Sequence, residues 1–177
     1  DSACRITVAG LEMDITPAPS DADDSVTISI PSLDLVVNNL VWPVLELLPA
    51  LLPELAQKLR GRVQPADVLY AYHPPCTLQH GQQLKGGVEK HLGDLGFQIK
   101  VTVNESHLCC GSAGTYSVLN PGLSKQLRDR KLGNLSQIAA DTIVSANVGC
   151  ISHLQSGTDV PVKHWIEVLD AALQPQP

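Results

Sequence analysis

Asp67-Val68-Leu69-Tyr70-Ala71-Tyr72-His73-Pro74-Pro75-Cys76 is the stretch that decides the fold. Val68 to Tyr72 is a short apolar and aromatic run stopped by two prolines, which reads as a buried strand. Toward the C-terminus helix and strand signals then alternate. Leu84 to Leu95 has helical spacing and closes at Gly96, Phe97 to Val103 alternates as a second strand, and Leu123 to Ile138 is a second helix. Asp141 to Ala146 is a third strand, and Val162 to His164 adds a short one before a closing helix, Trp165 to Leu173. Strands separated by helices need right-handed crossovers and build a parallel sheet. The expectation is an α/β domain of three layers, with a small, mainly parallel sheet flanked by helices.

Cysteines follow the strands. Cys76 comes after the first, Cys109 and Cys110 after the second, and Cys150 after the third. In a parallel sheet those strand ends share the carboxyl edge, where such folds bind ligands. Four thiols spread from position 76 to position 150 are therefore expected to converge. Gly111 and Gly114 flank the cysteine pair and Gly149 precedes Cys150. Glycine lets backbone approach a cofactor and offer N–H groups to sulfur, so Gly111 and Gly149 are expected beside a bound group. Thiolate-rich sites select zinc or iron–sulfur clusters. Adjacent cysteines suit the C-x2–4-C spacing of compact tetrahedral zinc poorly, which favours iron–sulfur and leaves zinc as the alternative. A vicinal disulfide switch at Cys109-Cys110 is the redox rival. His153, three residues after Cys150, has ligand-compatible spacing and is the fifth candidate metal ligand, against the reading that it is a satisfied polar residue. His73, His80 and His107 lie near the same edge, and His91 in mid-helix reads as solvated. Cys4, isolated from the others, reads as a small buried hydrophobe.

The chain has 177 residues, enough for one domain with a small extension. Residues 1–40 are taken as an N-terminal extension of unknown role and 41–177 as the cysteine-rich α/β domain. A chain this long closes an ordinary core without metal or disulfides, so a metal here is functional. Twelve basic against eighteen acidic residues and six aromatics argue against a nucleic-acid partner. Five cysteines, an odd number, do not make a secreted disulfide scaffold and point to a reducing, cytoplasmic location. The longest apolar stretch, Leu40 to Leu52, contains Pro43, Glu46 and Pro49 and falls short of the ~20 residues of a membrane span. No signal peptide is recognisable, and a first residue of Asp rather than Met suggests a trimmed, processed or partial chain.

Within residues 1–40, Arg5 to Val8 and Val26 to Ile30 read as two strands able to pair. The acidic, proline-containing stretch between them (17–24) reads as a turn or disordered. Leu45, Leu48, Leu52, Leu55 and Leu59 mark one helical face, interrupted by Pro49 and Pro53 and ending at Gly61. That face either covers the domain's own sheet or docks another subunit.

The motif as a whole resembles a known family. A Cys, a long gap, Cys-Cys-Gly, a second gap and Cys-x-x-Cys define the cysteine-rich CCG domain of heterodisulfide reductases and related electron-transfer proteins. Cys76, Cys109-Cys110-Gly111 and Cys150-Ile151-Ser152-His153 match it, with His153 in place of the final cysteine. His73 to His80, His107 to Ser117, Ala146 to Cys150 and His164 to Leu169 further resemble the C-terminal part of glycolate oxidase iron–sulfur subunits. That resemblance covers about Leu47 to Leu173. It implies cluster ligands at Cys76, Cys109, Cys110 and Cys150, with or without His153, and a 4Fe-4S cluster as the simplest cofactor. It also implies a separate flavoprotein partner that oxidises glycolate to glyoxylate. Electrons would pass onward to quinone from a cytoplasmic protein held peripherally at the inner membrane by its partners. The ferredoxin-like region and first CCG domain of that family do not appear, so the chain reads as a fragment, a short homologue or the product of a broken reading frame. The alternative is a zinc-binding or metal-free interaction module, and a weaker one is a thiol redox enzyme using Cys109 and Cys110.

Overall fold

The computed structural model describes the backbone of residues 4–8, 11–17, 26–30 and 35–38, and residues 57, 59–81 and 83–174. The first four strands, β1 (Cys4–Val8), β2 (Leu11–Pro17), β3 (Val26–Ile30) and β4 (Leu35–Asn38), form an antiparallel sheet in sequence order. The expected pairing of β1 with β3 is thereby corrected: β2 lies between them, Asp14 opposing Arg5 on one side and Ser29 on the other. The reason is local. Only two residues separate Val8 from Leu11, a spacing suited to a hairpin, and Leu11 to Thr16 alternates apolar and polar residues. Arg5 donates to Asp14 at 2.6 Å across this pair and holds its carboxyl below the usual carboxylate range.

The second sheet is parallel throughout, in the order β6-β5-β7-β8. Its strands are β5 (Leu69–His73), β6 (Gln98–Val101), β7 (Thr142–Ser145) and β8 (Val162–His164). Five helices accompany them: α1 (Gly87–Asp94), α2 (Tyr116–Leu119), α3 (Pro121–Ser136), α4 (Val148–Gln155) and α5 (Trp165–Ala171). The expected elements are present with shifted ends. The short α2 and α4, the helix that carries Cys150, have no counterpart among them.

Strand alternation divides the core in two. Tyr70, Tyr72 and Val144 face one way and pack with Val88 and Leu92 of α1 and Trp165, Val168 and Leu169 of α5. Ala71, Ile143 and Val162 face the other way and pack with Leu135 of α3 and Cys150 and Leu154 of α4. Each face of the sheet thus carries helices, which gives the expected three layers. From β5 the chain steps outward to β6 through α1, returns past β5 to β7, and continues to β8. Its direction reverses beside β5, and in such sheets that reversal opens a crevice at the carboxyl ends.

Of the leucine stripe, Leu59 falls within the described residues and is buried in the first core cluster; the rest of the stripe, the 17–24 loop apart from Pro17, and the 40/41 boundary lie outside them. Among the described residues no helix is long and apolar enough to cross a membrane.

His91 departs from its expected solvent exposure. It is 5% exposed, at helical spacing from Val88 on the inner face of α1, and meets the Trp165 ring edge-on at 5.9 Å. Burial pushes its pKa below the ordinary imidazole value, and burial does the same to His164. His164 accepts from the Ile166 N–H through Nδ1 at 3.2 Å and its Nε2 lies 3.0 Å from the Ala146 carbonyl, a pattern that uses a neutral ring. Both groups bind a proton more readily in the unfolded chain. Stability is therefore complete above about pH 6.5 and is lost as the pH falls below it. Thermal melts between pH 7.5 and 5 should show a falling Tm, and His91→Phe, which keeps a ring against Trp165, should shrink the fall. An unchanged slope would rule out His91 as a source.

Candidate metal centre

Three loops bring the thiols together. Cys76 follows β5 after two prolines and leads into a single turn of π-helix, Thr77–Gly81. Cys109 and Cys110 lie in the loop between β6 and α2, and Cys150 sits in the first turn of α4. All four are free thiols lining one pocket of roughly 500 Å3, together with Ser112, Gly149 and neighbouring backbone. The side chain of Cys4 lies outside the described residues.

The sulfurs form a hydrogen-bonded series, Cys76 to Cys109 to Cys110 to Cys150. Crowded thiols cannot all ionise, because like charges in a poorly solvated space repel. Cys109 is driven far down by hydrogen bonds from the Cys110 and Cys76 thiols, helped by the Gly111 N–H 3.2 Å from its Sγ. Cys150 is pushed down to about 5, first by the Cys110 thiol, then by His73 and Ser112. The free N–H groups of the first turn of α4 favour the same thiolate. Cys76 and Cys110 move up because they keep the shared protons and are desolvated. Two thiolates, the form that binds metal, thus stand ready beside two thiols.

Buried polar contacts hold these loops. Gln79, just after Cys76, donates to the Pro74 carbonyl at 2.8 Å and to that of Ser106 at 3.2 Å. Lys131 of α3, wholly buried, donates to the carbonyls of Glu105 at 2.7 Å and Ser106 at 3.2 Å. The Ser106 carbonyl therefore ties the Cys76 loop and α3 to the stretch of backbone that leads into Cys109. Burial lowers the Lys131 pKa, and the nearby Cys76, Cys110, Glu105 and Cys109 oppose that shift. Glu105, held to Arg130 by a paired side-chain contact, fixes the outer end of the same loop. Asn147 caps α4 by accepting from the Cys150 N–H at 3.2 Å, and Ser112 bridges the Cys110 and Cys150 sulfurs at 3.4 and 3.8 Å.

The structure therefore brings Cys76, Cys109, Cys110 and Cys150 together, with Gly149 in the pocket wall and Gly111 presenting its N–H to sulfur. His153 sits elsewhere. Its Nε2 lies 3.0 Å from Ser124 Oγ, which in turn donates to the Gly111 carbonyl at 2.8 Å, so the ring packs behind the Cys-Cys-Gly turn and does not line the pocket. His80, exposed, lies 3.2 Å from the His107 carbonyl. The histidine beside the thiols is His73, buried at the end of β5, whose ligand atom and the Cys110 and Cys150 sulfurs all lie within 4.8 Å of one another. Its signal in the sequence is strand alternation: two residues after Ala71, it falls on the face that carries Cys110 and Cys150.

Comparison with known proteins agrees with both resemblances expected from the motifs. Residues 70–155 match the cysteine-rich (CCG) domain. Over 108 residues the chain is 51% identical to the glycolate oxidase iron-sulfur subunit of Escherichia coli, covering 61% of this chain and 26% of that protein. It is 29% identical over 124 residues to lactate utilization protein A of Oceanobacillus iheyensis, covering 66% and 47% of the two chains. It is 30% identical over 105 residues to lactate utilization protein A of Geobacillus kaustophilus, covering 56% and 44%. The chain thus spans from about a quarter to about a half of the length of these relatives.

Gly111 tests how tightly the site is built. Its φ is +93°, and a Cβ there would come within 2.4 Å of the Ser124 carbonyl oxygen, a backbone atom. Gly111→Ala should destabilise the chain by more than the ~1–3 kcal/mol of left-handed strain alone. Thermal denaturation measures it, and a Tm drop under about 2 °C would contradict this packing.

Proposed function

We propose that this chain, whose residues 70–155 match the cysteine-rich CCG domain, is an iron–sulfur electron-transfer module of a complex that oxidises an α-hydroxy acid. The observation that carries the reading is the meeting of four free thiols, two of them favoured as thiolates, in one pocket at the sheet's switch point. The donor set fits the group: sulfur is soft, the ligands come from three loops, and the adjacent pair suits a multi-iron cluster better than a single tetrahedral ion. Cys76, Cys109, Cys110 and Cys150 hold it, and a 4Fe-4S cluster is the form we favour. When bound, such a cluster stores and releases one electron at a time.

The chain's own residues supply the setting. The Gly111 N–H points at a ligand sulfur, Gly149 leaves room in the wall, and Lys131 supports the Cys109 loop while offsetting the negative charge of thiolate ligands. Hydrogen bonds and fixed charges of this kind set a cluster's potential. No general base, nucleophile or substrate cleft is required of this chain, so the oxidation belongs to a partner.

Glycolate, converted to glyoxylate on a flavoprotein subunit, is the substrate we favour, supported by the 51% identity to a glycolate oxidase iron-sulfur subunit. Electrons would leave towards quinone, with the chain cytoplasmic and held peripherally at the inner membrane through its partners. The relatives' names lend the zinc alternative no support. We place the metal-centre role within residues 41–177.

Anaerobic reconstitution of the full chain with iron and sulfide should give a brown protein with about four irons and four sulfides per chain. Cys109→Ser or Cys150→Ser should reduce the iron bound severalfold, whereas the folded apo protein should keep its far-UV spectrum. A folded chain that takes up stoichiometric zinc without sulfide, or no metal at all, overturns the reading in favour of an interaction module.

A further inference from the structure

A buried imidazole stands beside the Cys110 and Cys150 sulfurs with no task in the function proposed above. His73 ends β5 and is 1% exposed; neither Nδ1 nor Nε2 has a nitrogen or oxygen hydrogen-bond partner, and the ring acts on the Cys150 sulfur, which it favours as thiolate. Buried polar atoms are almost always satisfied, so a buried ring with no nitrogen or oxygen partner, set against sulfur, has a donor atom free for a bound group. The ring is not loosely placed. Ser145 Oγ, itself buried at the end of β7, donates to the His73 carbonyl at 2.9 Å and fixes the backbone from which the ring projects.

Geometry says what that group is. A His73 ligand atom, Cys110 Sγ and Cys150 Sγ all lie within 4.8 Å of one another. Nitrogen and sulfur donors this close together could serve one metal centre. Ser112 already holds the two sulfurs on either side of its hydroxyl. His153, by contrast, has its Nε2 engaged 3.0 Å from Ser124 Oγ and 3.3 Å from the Ser124 carbonyl.

We propose that His73 is a nitrogen ligand of the metal centre, which it would help hold from the side of Cys110 and Cys150. The assignment rests on the iron–sulfur reading of this site. One ring nitrogen gives its lone pair to iron and the other keeps its proton, so no redox change accompanies binding. The His73 donor occupies the place that sequence spacing offered to His153. A neutral imidazole brings no negative charge to the ligand set, so the reduction potential would lie above that of the same centre with a thiolate in its place.

The test uses the full chain carrying isotope-labelled histidine nitrogen, reconstituted anaerobically with iron and sulfide, reduced, and measured by pulsed electron paramagnetic resonance. Iron and sulfide are assayed on the same samples. Wild type should show a nitrogen coupling that changes with the histidine label, His153→Ala should keep it, and His73→Ala should lose it. His73→Cys, which restores a donor and guards against loss of the cluster in the alanine variant, should keep its iron, lose the coupling and shift the midpoint potential downward. Stoichiometric iron and sulfide in wild type without histidine coupling, or a coupling that survives in His73→Cys, overturns the ligand assignment alone. Failure of wild type to take up iron and sulfide overturns the electron-transfer reading and this assignment with it.

Discussion

The position of β5 between β6 and β7 is the constraint on which the metal centre depends. The chain leaves β5 in one direction and later comes back past it, so the segments after β5 and β7 part company and a crevice opens between them. Cys76 enters that crevice from the loop after β5, Cys150 from the first turn of α4, and the Cys109-Cys110 pair from the long loop after β6. Had β6 and β7 been adjacent, the same cysteines would have stood along an edge with no hollow to share.

Gathering four thiols raises an electrostatic difficulty, because each ionised sulfur disfavours the next. The site meets it by sharing protons between neighbours and by placing a buried lysine near. Cys76 and Cys110 hold protons that stabilise Cys109 and Cys150 as thiolates, and Lys131 stands behind the loop. The same lysine ties that loop through the carbonyls of Glu105 and Ser106, so mechanical support and charge come from one side chain. Ser124 links the Cys-Cys-Gly turn to His153 in a similar manner, which explains a polar histidine behind a glycine that tolerates no side chain.

Much of the second half is legible in the amino-acid order. Apolar runs near Tyr70 and Ile143, helical spacing over Leu84 to Leu95 and 123–138, and a cysteine after each of three strands suffice to place four thiols at one edge. Other features are hidden for identifiable reasons. The alternation of Leu11 to Thr16 is overshadowed by the stronger strand signal at Val26 to Ile30, and with it the meander of the first sheet. His91 looks solvated because a histidine in a helix is usually outside; its face is set by Trp165, more than seventy residues later. His153 has ligand spacing from Cys150, yet a residue three positions along a helix points wherever the helix packs, here toward Ser124.

By itself the sequence determined what local pattern can carry: which segments are strand or helix, that the sheet is parallel, and that thiol chemistry gathers at its carboxyl edge. Periodicity and crossover handedness act over a few residues or one connection, so they are readable without neighbours. The tertiary structure alone decided which histidine joins the sulfurs, which thiols keep their protons, and that Lys131 and Gln79 brace the loops through the Ser106 carbonyl. Those outcomes depend on distances of a few ångströms between residues far apart in the chain, and only packing fixes such distances.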